Sequence, residues 1–277
     1  MVRKYNERNN GEKPHKSGGK RLRCAGDPRK RDYCATVTFA DVESGIVGYN
    51  TVASIASGQY VALGVQFENC AGGEIAVKDL LTVGTPTSST SIGNSDQIWR
   101  WNTATATWTK YFSYKPRGGT ARWVDSANTA VETTDTVPAG ETVFFCRAGA
   151  ATTLTLAGAV KEMSGASSVS VTSGQLAFMA NPWPASVSIA DFSANYSSGT
   201  PTSSTSIGNS DQIWRWNTAT ASWTKYFSYK PRGGTARWVV STDTATETTD
   251  TIPAGEGFFF QRAGSAATIS IAAPSAN

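Results

Sequence analysis

Along much of the chain, apolar and polar residues alternate over short stretches broken by Gly, Pro, Asn and Ser. This is the pattern of half-buried strands joined by tight turns. Residues 46–52 and 60–67 are predicted strands on either side of a turn at Ser57-Gly58. Residues 74–81 fit either a strand or a short helix. Residues 97–102 and 108–114 pair naturally as a hairpin across a Thr/Ala loop. A turn at Pro116-Arg117-Gly118-Gly119 leads into a strand over 122–124, and strands at 142–146 and 153–156 complete a set of about eight or nine. That spacing predicts an all-β chain built as a sandwich or small barrel.

The pattern occurs twice. Shifted by 115 positions, residues 84–124 return as 199–239 with one change, Thr107 to Ser222. Similarity then thins but continues: Pro138-Ala139-Gly140-Glu141 recurs as Pro253-Ala254-Gly255-Glu256, and Phe144-Phe145 as Phe259-Phe260. The expected organisation is a basic arm over 1–36 and two tandem homologous β domains, 37–161 and 162–277, each of a size that suits one core. Near-identity in one block fits recent duplication or recombination, or a surface that must be alike in both copies.

Charge separates the arm from the body. The first 34 residues hold eleven Lys or Arg against four acids, which leaves the remainder slightly acidic despite a net charge of +4. With few large apolar residues, the arm has little to bury and is expected to be flexible when free. It holds no apolar segment like a secretory signal, so either export does not use that route or a leader precedes this sequence. No run approaches the roughly 18 apolar residues of a membrane span, and no membrane insertion is expected.

Candidate chemistry centres on the hairpin. Period two puts Trp99 and Trp101 on one face and Ile98 and Arg100 on the other, with Trp108 and Lys110 brought alongside the tryptophans. The second copy repeats them as Trp214, Trp216, Trp223 and Lys225. One expectation is an aromatic platform for sugar rings or a partner protein, flanked by donors such as Arg122 and Arg237. The plainer one is that this face belongs to the core, since large aromatics dominate β cores.

Catalysis has little support. The sole imidazole, His15, lies in the arm, so no histidine-based triad can be assembled, and no Cys-x-x-Cys spacing suggests a metal. No cofactor is expected. Acids Asp96, Glu132, Asp135 and Glu141 recur as Asp211, Glu247, Asp250 and Glu256, a formal basis for paired-carboxylate chemistry, but solvated loop acids explain them as well. The expectation is a non-enzyme.

Four cysteines make an even count, in keeping with an oxidising compartment. Cys146 becomes Gln261 in the second copy, and the region of Cys70 becomes Asn181-Pro182-Trp183. That joint absence suggests a Cys70–Cys146 bridge, leaving Cys24 with Cys34, although all three connectivities of four cysteines stay open.

Three features together, namely Gly45-Ile46-Val47-Gly48-Tyr49, the Trp-Asn and Thr-Trp ends of the hairpin, and Pro-Ala-Gly-Glu-x-x-Phe-Phe, resemble a family of secreted or cell-surface β-repeat proteins of verrucomicrobial-type bacteria. The resemblance covers both copies but not the arm, and it implies fold and an extracellular or cell-surface location more than activity. The expected function is a self-associating structural subunit of a fibre, sheath or surface layer, with the arm free to add a strand to a neighbour. The alternatives are a pair of carbohydrate-binding modules using the aromatic hairpins, and a nucleic-acid-binding or capsid-like protein using the arm. Its partner is therefore expected to be itself, with glycans second and nucleic acid third.

Overall fold

The computed structural model describes residues 47–80, 85–160 and 168–271. The basic arm, with Cys24 and Cys34, lies outside them. The described part is all-β, with four single-turn 3₁₀ segments, and among the described residues no helix is long and apolar enough to cross a membrane.

The first repeat contributes β1 (Val47–Ile55), β2 (Tyr60–Gly64), β3 (Phe67–Glu68), β4 (Ile75–Ala76), β5 (Gln97–Asn102), β6 (Thr107–Tyr114), β7 (Arg122–Asp125), β8 (Thr136–Val137), β9 (Thr142–Cys146) and β10 (Thr152–Val160). They form a five-stranded antiparallel sheet in the order β2-β9-β5-β6-β7, a three-stranded sheet β1-β10-β3 and the ribbon β4-β8. The segment that fitted strand or helix is both, since β4 runs directly into a 3₁₀ turn at Val77–Asp79.

The second repeat contributes β11 (Ser168–Val171), β12 (Leu176–Ala180), β13 (Val187–Ser188), β14 (Tyr196–Ser198), β15 (Gln212–Asn217), β16 (Ser222–Tyr229), β17 (Arg237–Val240), β18 (Thr251–Ile252), β19 (Gly257–Gln261) and β20 (Ala267–Ser270). Its large sheet, β12-β19-β15-β16-β17, repeats the first strand for strand. The small sheets differ: the third strand is β3, which precedes both ribbon strands, in one copy, and β14, which falls between the ribbon strands β13 and β18, in the other.

Alternation decides what each large sheet buries. One face of the first carries Val61, Leu63, Ile98, Tyr111, Val143 and Phe145 against Ile55, Phe67, Leu154 and Leu156 of the small sheet. The second copy does the same with Ile213, Tyr226, Phe258 and Phe260 against Val171 and Ile269. The opposite faces of the two large sheets meet each other through a third cluster, centred on Phe144, Phe178 and Phe259. The described residues of both copies fall within one compact unit.

Backbone hydrogen bonds also cross between the copies. The Gly64 amide donates to the Gly255 carbonyl at 3.0 Å, and the Ala180 amide donates to the Gly140 carbonyl at 2.9 Å. This accounts for the Pro-Ala-Gly-Glu motif. Gly140 and Gly255 sit at φ 92° and 69°, a region open to glycine, and that turn aims each carbonyl at the other repeat.

Two divergences between the copies become intelligible at this crossing. The Thr142 of one copy is Gly257 in the other, and a Cβ on Gly257 would stand 2.1 Å from Thr142 Cγ2. Gly64 stands where the other copy has Ala180, and a Cβ there would lie 2.7 Å from the Ala180 Cβ. Equivalent positions face one another across the crossing, and only one of each pair has room for a side chain. Gly257→Thr is therefore expected to cost about 1–3 kcal/mol by overpacking, with part of the loss recovered on adding Thr142→Gly. Urea denaturation of the two single variants and the double variant measures it; simple additivity would refute the steric pairing.

Candidate functional site

The hairpin forms for local reasons. Asn102 Oδ1 accepts the amides of Ala104 and Thr105 at 3.0 and 3.1 Å, which tightens the loop, and Ala106 closes it at φ 52°. Register then sets Trp99 opposite Lys110 and Trp101 opposite Trp108, with Trp214–Lys225 and Trp216–Trp223 matching in the second copy.

These tryptophans do not form two separate platforms, because each set leans across to the other repeat. The Trp101 indole N–H donates to the Leu176 carbonyl at 2.7 Å, and Trp216 donates to the Tyr60 carbonyl at 2.8 Å. Trp101 meets Phe259 edge-on with centroids 5.5 Å apart, and Phe144 meets Trp216 in the same way at 5.5 Å. At the centre Phe178 stacks on Phe259 at 4.3 Å. All six hairpin tryptophans remain half-buried and line one shared cleft of about 420 Å³, together with Tyr60, Phe144, Leu176 and Phe259. The faces are mutual packing surfaces, and an opening remains between them.

Lys110 and Lys225 do not line this cleft but stand over two of its lining rings, with Nζ 3.9 Å and 3.8 Å from the Trp99 and Trp214 centroids. Arg122 and Arg237, expected as flanking donors, do not line it. Each guanidinium turns to the loop after its own strand, Arg122 donating to the carbonyls of Thr129 and Ala130 at 3.1 and 3.2 Å, and Arg237 to those of Thr244 and Ala245.

The opposite face of the same hairpin borders a polar cavity of about 810 Å³ that includes Arg100, Tyr111, Asp135 and Glu141. Its charges are already engaged. Arg100 grips Glu141 through two hydrogen bonds of 2.6 and 2.9 Å, and the Tyr111 hydroxyl donates to Asp135 at 2.7 Å. Arg215–Glu256 and Tyr226–Asp250 repeat the arrangement. Hydrogen bonding to Glu141 raises the Arg100 pKa further, while burial and the Asp135 carboxylate push the Tyr111 phenol up. The Tyr226 phenol is pushed up to about 12, first by burial and then by Asp250. Glu132 pairs with Lys78 at the surface, and Asp96 and Asp211 are fully buried in ion pairs with Arg147 and Arg262.

The expected Cys70–Cys146 bridge does not form: both are free, Cys70 exposed and Cys146 buried. The chain leaves β2 at Gly64, opposite Thr142, at the far end of β9 from Cys146. Cys146 instead lies opposite Tyr60, and burial raises its thiol pKa. Gln261 lies opposite Leu176 in the second copy, so the partner that changes with Cys146 is Tyr60. Among the described residues no group of three His, Cys, Asp or Glu side chains comes together to hold a metal.

Sequence reasoning missed the buried aspartates as structural anchors. Asp96 accepts the amides of Thr87 and Ala148 at 2.9 and 2.8 Å besides Arg147, and Asp211 accepts the matching set plus the Tyr196 hydroxyl. The only signal was an acid at the start of an apolar strand in both copies. No family model, curated protein or solved structure matches the chain.

Proposed function

We propose that the chain is a non-catalytic structural subunit of an extracellular fibre, sheath or surface layer, assembling with further copies of itself. Each repeat is read as a β-sandwich, and the pair, locked face to face, as one rigid building block.

The observation that carries this is the open edge of β1. Among the described residues this nine-residue strand pairs with β10 on one side only, whereas its counterpart β11 is four residues long. Residues 47–52 contain neither proline nor charge, the usual guards of an exposed edge. Tyr49 is 54% exposed on it, and Val160, at the end of β10, is 43% exposed. The ladder with β10 shifts register between Val52 and Ile55, so the regular stretch is Val47–Val52, and that stretch is a template for a strand from another copy. The low charge of the Thr- and Ser-rich body and the full engagement of its buried acids agree with a building role, and the resemblance to secreted β-repeat proteins supports the location.

Tyr49 and Thr51 are both exposed, so Tyr49→Lys with Thr51→Lys places two cations on the edge strand without opening the core. In sedimentation velocity and negative-stain electron microscopy of the full chain, the unaltered protein is expected to form concentration-dependent assemblies and the double variant to remain monomeric. Assembly that survives both substitutions would remove the role given to β1, and a parent protein that stays monomeric at about 1 mM would remove the function itself.

A further inference from the structure

We propose that the tryptophan cleft between the repeats binds an acidic saccharide, the C–H face of a sugar ring lying against indole and its carboxylate directed to Lys110 and Lys225. The site is distinct from the β1 edge and goes beyond assembly.

Four observations converge on this ligand class. The cleft, at about 420 Å³, has the volume of a small-ligand site and is lined almost entirely by aromatic rings from both copies. Aromatic surface left half-open in this way suits the weakly polarised C–H face of a pyranose.

The indole N–H groups of the lining tryptophans come in two kinds. The indole N–H groups of Trp99, Trp101, Trp214 and Trp216 each have a protein acceptor. Those of Trp108 and Trp223 have none among the described residues. A wholly apolar ligand would leave these two donors unmet, whereas sugar hydroxyls would accept from them.

Charge supplies the acidic character. Lys110 and Lys225 are held over Trp99 and Trp214 and form no ion pair among the described residues, unlike Lys78, Arg100, Arg147, Arg215 and Arg262. Two unneutralised ammonium groups, one from each repeat, favour an anion at this cleft. Base stacking with phosphate contacts would use similar groups, but a nucleic-acid strand needs a cationic track along its backbone, and among the described residues two lysines stand over the lining rings.

The full chain is titrated with oligogalacturonate, with a neutral gluco-oligosaccharide of equal length and with oligothymidylate, following tryptophan fluorescence and heat. Oligogalacturonate is expected to alter the emission and bind about tenfold more tightly than the neutral sugar, weakening as salt is raised. Lys110→Gln with Lys225→Gln is expected to abolish that tenfold preference, and circular dichroism checks that the variant is folded. The proposal is overturned by no binding of oligogalacturonate up to about 10 mM, by equal affinity for the neutral sugar, by a preference that persists in the folded lysine variant, or by binding of oligothymidylate alone. The wild-type comparison of the two sugars decides the matter even if the variant does not fold. Because β1 is untouched, assembly and saccharide binding fail independently.

Discussion

Asp96→Ala is expected to destabilise the protein by about 3–5 kcal/mol, the cost of leaving a buried guanidinium without its counter-charge. Asp96 is wholly inaccessible and Arg147 is 8% exposed. The loss extends beyond the charge, because the same carboxylate takes the amides of Thr87 and Ala148, which hold the loop before β5 against the end of β9. Replacing both members of the pair, as Asp96→Ala with Arg147→Met, removes the unpaired cation but leaves two amides without an acceptor, so the double variant is expected to recover only part of the stability. Asp211→Ala is expected to behave alike, with the Tyr196 hydroxyl losing its acceptor as well. Equilibrium urea unfolding of each variant gives the values. A loss below about 1 kcal/mol for Asp96→Ala would mean that the aspartate is a bystander rather than the anchor of that loop.

Phe259→Ala is expected to cost about 3–5 kcal/mol and to lower the stability of the whole body rather than of the second copy alone. Phe259 is 5% exposed and lies where the two large sheets meet, stacked on Phe178 at 4.3 Å and meeting Trp101 and Trp108 of the other repeat edge-on. Truncation there removes contacts from both sheets at once. Calorimetry is expected to show one cooperative transition in the parent protein, moved to lower temperature in the variant without splitting. Two transitions, of which the substitution shifts only one, would show that the copies unfold separately and that the shared aromatic layer contributes little to coupling them.

The parts of this protein legible in its sequence are those decided by near neighbours. The β5–β6 hairpin is visible because side-chain alternation and the Asn102 loop act within a few residues, and the observed bounds, Gln97–Asn102 and Thr107–Tyr114, lie within one residue of the expected ones. The duplication is visible because it is written twice. Residues 74–81 resisted a single assignment because the segment changes conformation within five residues, from β4 to a 3₁₀ turn.

What covers each face was not legible. Period two states that Trp99, Trp101 and Trp108 share a side of the sheet, but an identical alternation would serve a solvent platform, a private core or a layer shared with a second copy. Packing chose the third and left a cleft in it. The cysteine inference failed for a related reason: a joint change between copies identifies a pair of positions without measuring the distance between them, and the residues opposite Cys146 are Tyr60 and Gln97. Thr142 and Gly257 look like ordinary drift when the repeats are aligned. Only at the crossing, where two equivalent strands approach too closely for two side chains, does volume exclusion make one of them glycine.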